Sequence, residues 1–354
     1  MSGTCWIYAA TASMEANYAL KYGSPVKLSR PKILDCVYFK YTDTPETEGY
    51  YIQKNIDRYN LGGQPWVIVD RISNGCEDFV LDDAAFVNYK DVDNVKQAIK
   101  KYGAASISIC DTSESIKEMH NGYRTMNNPK STIFDHEIAI IGWDDDFPKE
   151  WFAVEPKENG AWITYDSAVP TEKYYISYET PINEHPLIFM SVSFDYSEVL
   201  SHDCCHGNYI CVKNGEPVKT ANVFHQKGTL AAVGTYNDIE EQDVKIEIYD
   251  SELKNVLYTR EAKLDHQGYL TVKLDEPVEV DDFAVAVTYS SYAPVEGVPQ
   301  RMVGVKQVIR SDEGQSFVYL PETDEWKDMH DEDIRECITS DFLPNNCCIK
   351  ALMK

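Results

Sequence analysis

Helix-period patterning runs through the first part of this chain and stops near residue 195, and that change limits the architectures open to it. Up to there, amphipathic helices precede alternating strands. Beyond it, short alternating runs recur at Asn208–Val212, Thr229–Thr235, Val244–Tyr249, Tyr269–Leu274 and Phe283–Tyr289, separated by clusters of Asp, Asn, Gly and Pro. Such spacing is that of an antiparallel sandwich or barrel. A chain of 354 residues is also longer than one hydrophobic core usually serves. The expectation is an α+β domain over 1–195 followed by an all-β sandwich domain over 196–354.

The first helix is the most informative local element. Ala9, Ala10, Ala12, Met14, Glu15, Ala16, Ala19 and Leu20 are good helix formers. Trp6, Ala9, Ala10, Ser13, Ala16 and Leu20 recur at helical spacing. Lys21-Tyr22-Gly23 supplies a stop, and the small residues nearly all round predict burial on two sides. The helix begins at Cys5. A second short helix is expected from Leu28 to about Tyr41 with Pro31 in its first turn, then a polar loop over Asp43–Tyr50 and a turn at Gly62-Gly63 before another helix. Val92–Tyr102 reads as amphipathic, with Val95, Ala98 and Ile99 on one face. Ala104–Cys110, Glu137–Trp143, Ala161–Tyr165 and Lys173–Tyr178 read as strands.

Charge and composition narrow the function. A formal net charge of −25 argues against nucleic acid, whose phosphates would be repelled. No run approaches the roughly 18 apolar residues of a membrane-spanning helix. Met1 to Trp6 shows no basic start and no apolar core of a signal peptide, so the protein either stays inside the cell or has its export signal upstream. The ten cysteines are too sparse for a disulfide scaffold, but they cluster at Cys204, Cys205 and Cys211 and at Cys337, Cys347 and Cys348. His202-Asp203-Cys204-Cys205-His206 has metal-ligand residue types at a spacing that matches no familiar zinc pattern. Free thiols, or disulfides between this group and the Cys347-Cys348 tail, are the expected states, and no metal or other cofactor is assigned. Asp144-Asp145-Asp146 reads as a solvated turn, because calcium requires six or more oxygen ligands.

A thiol attacks as thiolate, and its pKa falls at a helix N-terminus beside a histidine. Cys5 holds that position, and its partner must come from another element. His136 immediately precedes an apolar strand, and Asp166 ends the strand Ala161–Tyr165, where it can hold the imidazole. Taken singly, each has a plainer reading: a buried inert thiol, a satisfied strand-end histidine and a turn-forming aspartate.

Three segments together resemble the papain-like cysteine peptidase family, in the family's order. Ser2-Gly3-Thr4-Cys5-Trp6-Ile7-Tyr8-Ala9-Ala10-Thr11-Ala12 is similar to its nucleophile helix. Asp135-His136-Glu137-Ile138-Ala139-Ile140-Ile141-Gly142-Trp143-Asp144-Asp145 is similar to its histidine strand. Gly160-Ala161-Trp162-Ile163-Thr164-Tyr165-Asp166-Ser167, with Tyr174-Tyr175-Ile176-Ser177-Tyr178, is similar to the strand pair that carries the orienting residue. Residues from about 200 to 352, including Ala221-Asn222-Val223-Phe224 and Cys348-Ile349-Lys350-Ala351, resemble the lectin-like domain of bacterial members.

The resemblance implies a two-lobed fold with a helical lobe and a β lobe, and a catalytic set of Cys5, His136 and Asp166. It implies a peptide or protein substrate, a glycan or cell-surface ligand for the second domain, and a secreted or cell-surface location. An inactive relative that binds proteins or glycans is the competing reading. The chain departs from the family in three places. The family's oxyanion glutamine falls before Met1, and one missing donor predicts turnover lower by about 10²–10³. Asp166 replaces asparagine. Ala168 replaces a shielding tryptophan, which predicts a solvent-screened Asp–His pair.

Overall fold

A computed structural model describes residues 3–76, 78–89, 91–111, 116–118, 122–170, 173–182, 186–212, 217–297, 302–339 and 345–354. Met1 and Ser2, which open the nucleophile-helix segment, lie outside the described residues. The chain forms two compact units. The first comprises Met1–Leu34, Ile56–Ile68 and Ala84–Val192, and the second Asp35–Asn55, Val69–Asp83 and Ser193–Lys354. Among the described residues no helix is long and apolar enough to cross a membrane.

In the first unit the opening helix spans Cys5–Tyr22 and buries Trp6, Ile7, Ala9, Ala10, Thr11, Ser13, Met14 and Asn17. Leu20, expected on the apolar face, is instead exposed. The polar members of the buried set are all satisfied. Ser13 Oγ donates to the Ala104 carbonyl (2.6 Å) and accepts from the Met190 amide (2.9 Å), while Asn17 Nδ2 donates to the Tyr102 carbonyl (3.0 Å). Buried polar groups without such partners cost folding energy, so these bonds are what lets the helix sit inside. Gly23 ends the helix in the left-handed region (φ 67°), its N–H donating to the Ala19 carbonyl. Helix Val92–Tyr102 starts on Asp91, whose side chain accepts from the Asp93 and Asn94 amides, and buries Val95, Ala98 and Ile99 as its periodicity predicts.

The strands of this unit follow the order Leu187–Ser193, Ala105–Ile109, His136–Asp144, Ala161–Tyr165, Lys173–Ser177, Tyr123–Met126, Ile116–Glu118. Ile109 pairs with His136 and Ala139 with Tyr165, both antiparallel, and the second pair carries a bulge between Ile140 and Gly142. The core joins Ile107, Ile109, Ile138, Ile140, Trp162 and Phe189 to the buried face of helix Val92–Tyr102. Asp144–Asp146 forms the solvated turn expected: Asp144 Oδ1 accepts from the Asp146 amide, and Asp145 accepts from Lys96 Nζ (2.6 Å) and the Tyr178 hydroxyl (2.8 Å).

The second unit is β-rich. One six-stranded antiparallel sheet runs Val256–Leu264, Gln242–Asp250, Phe283–Tyr289, Val218–Phe224, Ser316–Leu320, Glu325–Asp328. Glu198–Leu200, Ile349–Met353, Gly228–Asn237 and Gly268–Val280 form a second antiparallel run. Ile246, Ile248, Phe283, Val285 and Val287 meet Leu230, Val233, Ile349, Ala351 and Met353 in one core. The alternation of inward apolar residues along these strands is the pattern of a sandwich. Asn222 links its parts: its Nδ2 donates to the carbonyls of Cys347 (2.9 Å) and Ile349 (2.8 Å), and its Oδ1 accepts from Ser316 Oγ (2.6 Å). The short strand Gly49–Ile52 begins inside the stretch expected to be loop, and pairs with Val305–Val308.

The unit carries a disulfide between Cys36 and Cys76. Pairing of the Cys204–Cys211 group with the tail, one of the two expected states, is corrected: Cys204, Cys205, Cys211, Cys347 and Cys348 are free. The sulfurs of Cys347 and Cys348 approach the carbonyls of Phe317 (3.7 Å) and Cys205 (3.8 Å) instead.

Candidate active site

The opening helix places Cys5 at its first position, partly exposed. Thr4 precedes it with φ −112° and ψ 12° and offers no side-chain cap. The Cys5 amide is among those an α-helix cannot satisfy internally, and the positive end of the helix faces the sulfur. Small residues behind it permit this burial. Trp6 Nε1 donates to the Gly3 carbonyl (3.0 Å), and a side chain at Gly63 would strike the Trp6 ring at 2.5 Å. Gly62-Gly63 thus serves close approach as well as a turn.

His136 opens the strand His136–Asp144 and is 9 % exposed, and Asp166 follows the neighbouring strand at 3 %. The pairing of Ala139 with Tyr165 brings Asp166 back beside the start of the histidine strand. His136 Nε2 lies 3.0 Å from Asp166 Oδ1, and the imidazole also hydrogen-bonds Cys5. With Nε2 committed to the carboxylate, Nδ1 is the nitrogen left for the thiol. The three residues singled out in the sequence therefore come together. Cys5 and His136 border a cavity of about 410 Å³, lined also by Gly3, Thr4, Tyr8, Asp135, Ser167 and Ala168.

The electrostatics favour an ion pair. Burial alone would lower the His136 pKa, but the hydrogen bonds with Asp166 and Cys5 and their charges outweigh it and raise the imidazole to about 10. Burial would raise Asp166, yet its bonds with His136 and the Ala168 amide (2.8 Å) hold it below the usual carboxylate value. Asp166 also closes a turn, its carbonyl accepting from the Val169 amide (3.2 Å). The plain turn role and the orienting geometry thus coexist in one residue. The screening expected from Ala168 is corrected, because both members of the pair are buried despite the missing tryptophan.

The pair's contribution to stability has a defined window. The part from His136 is complete below its ordinary pKa near 6.5 and is lost as pH rises through about 10. The part from Asp166 is present above the ordinary carboxylate value and is lost as pH falls through its lowered one. An Asp166→Asn chain keeps an acceptor and loses the charge. NMR titration of the His136 ring is expected to show a midpoint near pH 10 in the unsubstituted protein and a clearly lower one in this variant. An unmoved midpoint would remove Asp166 as the cause.

Glu137 escaped the sequence reading. It is 6 % exposed and accepts from Ser106 Oγ (3.1 Å) and Ser108 Oγ. Burial pushes it up to about 7, against these bonds and the nearby His136. The signal available was Ser106 and Ser108 at strand period, two polar residues on one face of an apolar strand. Tyr8, three residues after Cys5 on the same helix face, was equally legible. It packs under the Arg30 guanidinium, 4.5 Å from its ring centre.

Residues 1–167 match the papain family cysteine protease, and residues 202–353 match the lectin like domain. A cathepsin L-like protein of Caenorhabditis elegans is 26 % identical over 196 residues, 52 % of this chain and 55 % of that protein. The chain thus spans about half the length of that curated relative. Among solved structures, the clostridial cysteine protease Cwp84 after propeptide cleavage superposes with a TM-score of 0.77 at 19 % identity, covering 100 % of this chain and 94 % of that one. The cysteine protease and lectin-like domains of Cwp84, described as a surface layer associated protein of Clostridium difficile, give 0.75 at 18 % identity, covering 100 % and 84 %. At these identities the two structures establish a shared fold. By these matches residues 1–167 are similar to the papain family cysteine proteases, and residues 202–353 to the lectin like domain.

Proposed function

We propose that the protein is a cysteine endopeptidase in which Cys5 is the nucleophile, His136 the proton carrier and Asp166 the group that orients it. The observation that carries this reading is that Cys5 and His136 line one cavity while His136 is held from behind by Asp166 at 3.0 Å. The Cys5 thiolate attacks the scissile carbonyl, and the oxygen becomes negative beside the Cys5 amide. His136 delivers its proton to the departing amine as the thioester forms. Neutral His136 then takes a proton from water, whose oxygen attacks the thioester and frees the acid. Asp166 stabilises the imidazolium in both half-reactions.

Peptides or proteins are the proposed substrates. The lectin-like residues are proposed to engage a glycan or another cell-surface ligand, with 1–195 and 196–354 as the working division of labour. A secreted or surface location draws support from the Cys36–Cys76 disulfide, a bond that persists in oxidising compartments. A net charge of −25 continues to argue against nucleic acid as partner.

An epoxide warhead carried on a short peptide tests the reading. Folded protein at neutral pH should take up one label, mapped to Cys5, and His136→Asn should slow the uptake steeply. Folded protein that leaves Cys5 unlabelled would refute the peptidase reading and favour a binding protein that keeps the peptidase fold as scaffold.

A further inference from the structure

Within the second unit, a side-chain cluster unrelated to the cleft brings together what sequence spacing could not. The loop before strand Asn208–Val212 carries Cys204 and Cys205, 2 % and 0 % exposed, and Glu296 follows strand Ala293–Val295 at 0 %. The two sulfurs and a carboxylate oxygen lie within 4.8 Å of one another. Zinc bound at about 2.3 Å to sulfur and about 2.0–2.2 Å to carboxylate oxygen needs tetrahedral donors roughly 3.5–3.8 Å apart, so a contraction of about 1 Å would seat it. His202 and His206 do not join the set. His202 Nε2 lies 2.7 Å from the Val223 carbonyl, and the His206 ring stacks on Tyr236.

The thiols act as weak donors, Cys204 Sγ to the Val308 carbonyl (3.6 Å) and Cys205 Sγ to the Gly297 carbonyl (3.4 Å), bonds that a bound cation would replace. Glu296 Oε1 accepts from the Cys204 amide (2.8 Å) and Oε2 from Asn346 Nδ2 (3.2 Å), which fixes the carboxylate plane. Gln307 Nε2 lies 3.0 Å from Cys205 Sγ, a donor that a thiolate uses far better than a neutral thiol. Outer donors of this kind orient metal ligands and stabilise their anionic forms. The neighbouring Asp203 is 3 % exposed, and while its Oδ2 pairs with Lys350 Nζ at 2.5 Å, its Oδ1 is buried without a hydrogen-bond partner. A cavity of about 340 Å³, lined among others by Glu46, Glu48, Asp203 and Arg310, reaches one of the three donors, Cys204.

We propose that Cys204, Cys205 and Glu296 bind one thiophilic divalent cation of the zinc class, with the fourth position turned to this cavity. Binding sends the protons of both thiols to solvent and joins two connecting segments into one rigid node.

The test uses the full chain carrying Cys5→Ala, which removes the cleft thiol as a competing ligand. Chelator-stripped protein titrated with Co²⁺ should develop a thiolate-to-cobalt charge-transfer band that saturates at one ion per chain and is bleached by Zn²⁺. Cys204→Ser with Cys205→Ser should abolish the band. Gln307→Leu, which removes only the sulfur's donor, should weaken Co²⁺ binding by about 10–100-fold. Absence of the band, an undiminished band after both serine substitutions, or a vicinal disulfide within residues 204–205 by mass would overturn the proposal. Should the substituted chains fail to fold, crystals of zinc-saturated unsubstituted protein decide. An anomalous zinc peak between the two sulfurs supports the site, and none there overturns it.

Discussion

Cys5→Ala is expected to reduce peptide hydrolysis by about 10⁵–10⁶-fold, to the level of background, while leaving the fold intact. In the proposed mechanism no other group can replace the sulfur, because the bond that forms in the first step is to Cys5 itself. The stability cost is small for a physical reason. Cys5 is partly exposed at the cavity edge, so the change removes one atom from a boundary and leaves no void in a core. The check is kcat/KM on a fluorogenic peptide beside a thermal melt of the same preparation. Hydrolysis surviving at more than a trace in folded protein would mean that the nucleophile lies elsewhere. A melt shifted by many degrees would mean that the opening helix depends on the thiol.

The second large effect concerns stability. Replacing Cys36 and Cys76 together by serine should cost about 4 kcal/mol, the chain-entropy value for a loop of about forty residues. The two cysteines are 40 positions apart with Cα atoms at 5.7 Å. They tie residues 35–55 to residues 69–83, both of which belong to the second unit although they lie early in the chain. Urea unfolding followed by tryptophan fluorescence gives the number, and reduction of the unsubstituted protein should reproduce most of it. A cost below about 1 kcal/mol would show that strand pairing alone fixes these segments.

Much of the candidate site was legible because its signals are local. A cysteine at the start of a small-residue helix, a histidine before an apolar strand and an aspartate closing the next strand each occupy a position that short-range pattern defines. The meeting of His136 and Asp166 needed only the antiparallel pairing of two consecutive strands, whereas Cys5 needed the opening helix to pack against the histidine strand. The Cys36–Cys76 bond was not legible, since it depends on which distant segments fold back together, and neither cysteine stood in a cluster. Glu137 was hidden for a different reason. An acid at the head of a strand usually faces water, and only the register of Ser108 opposite Glu137 reveals that it points inward. The burial of His136 and Asp166 despite Ala168 came from tertiary neighbours that no spacing announces.

One atom of Asp166 has two clients, the imidazole of His136 and the backbone amide of Ala168. The aim of the base is therefore set by the path of a short surface turn. Drift at residues 167 to 169 can retune the reaction while every chemical participant stays unchanged. Natural variation there is where relatives of this protein should differ in rate before they differ in mechanism.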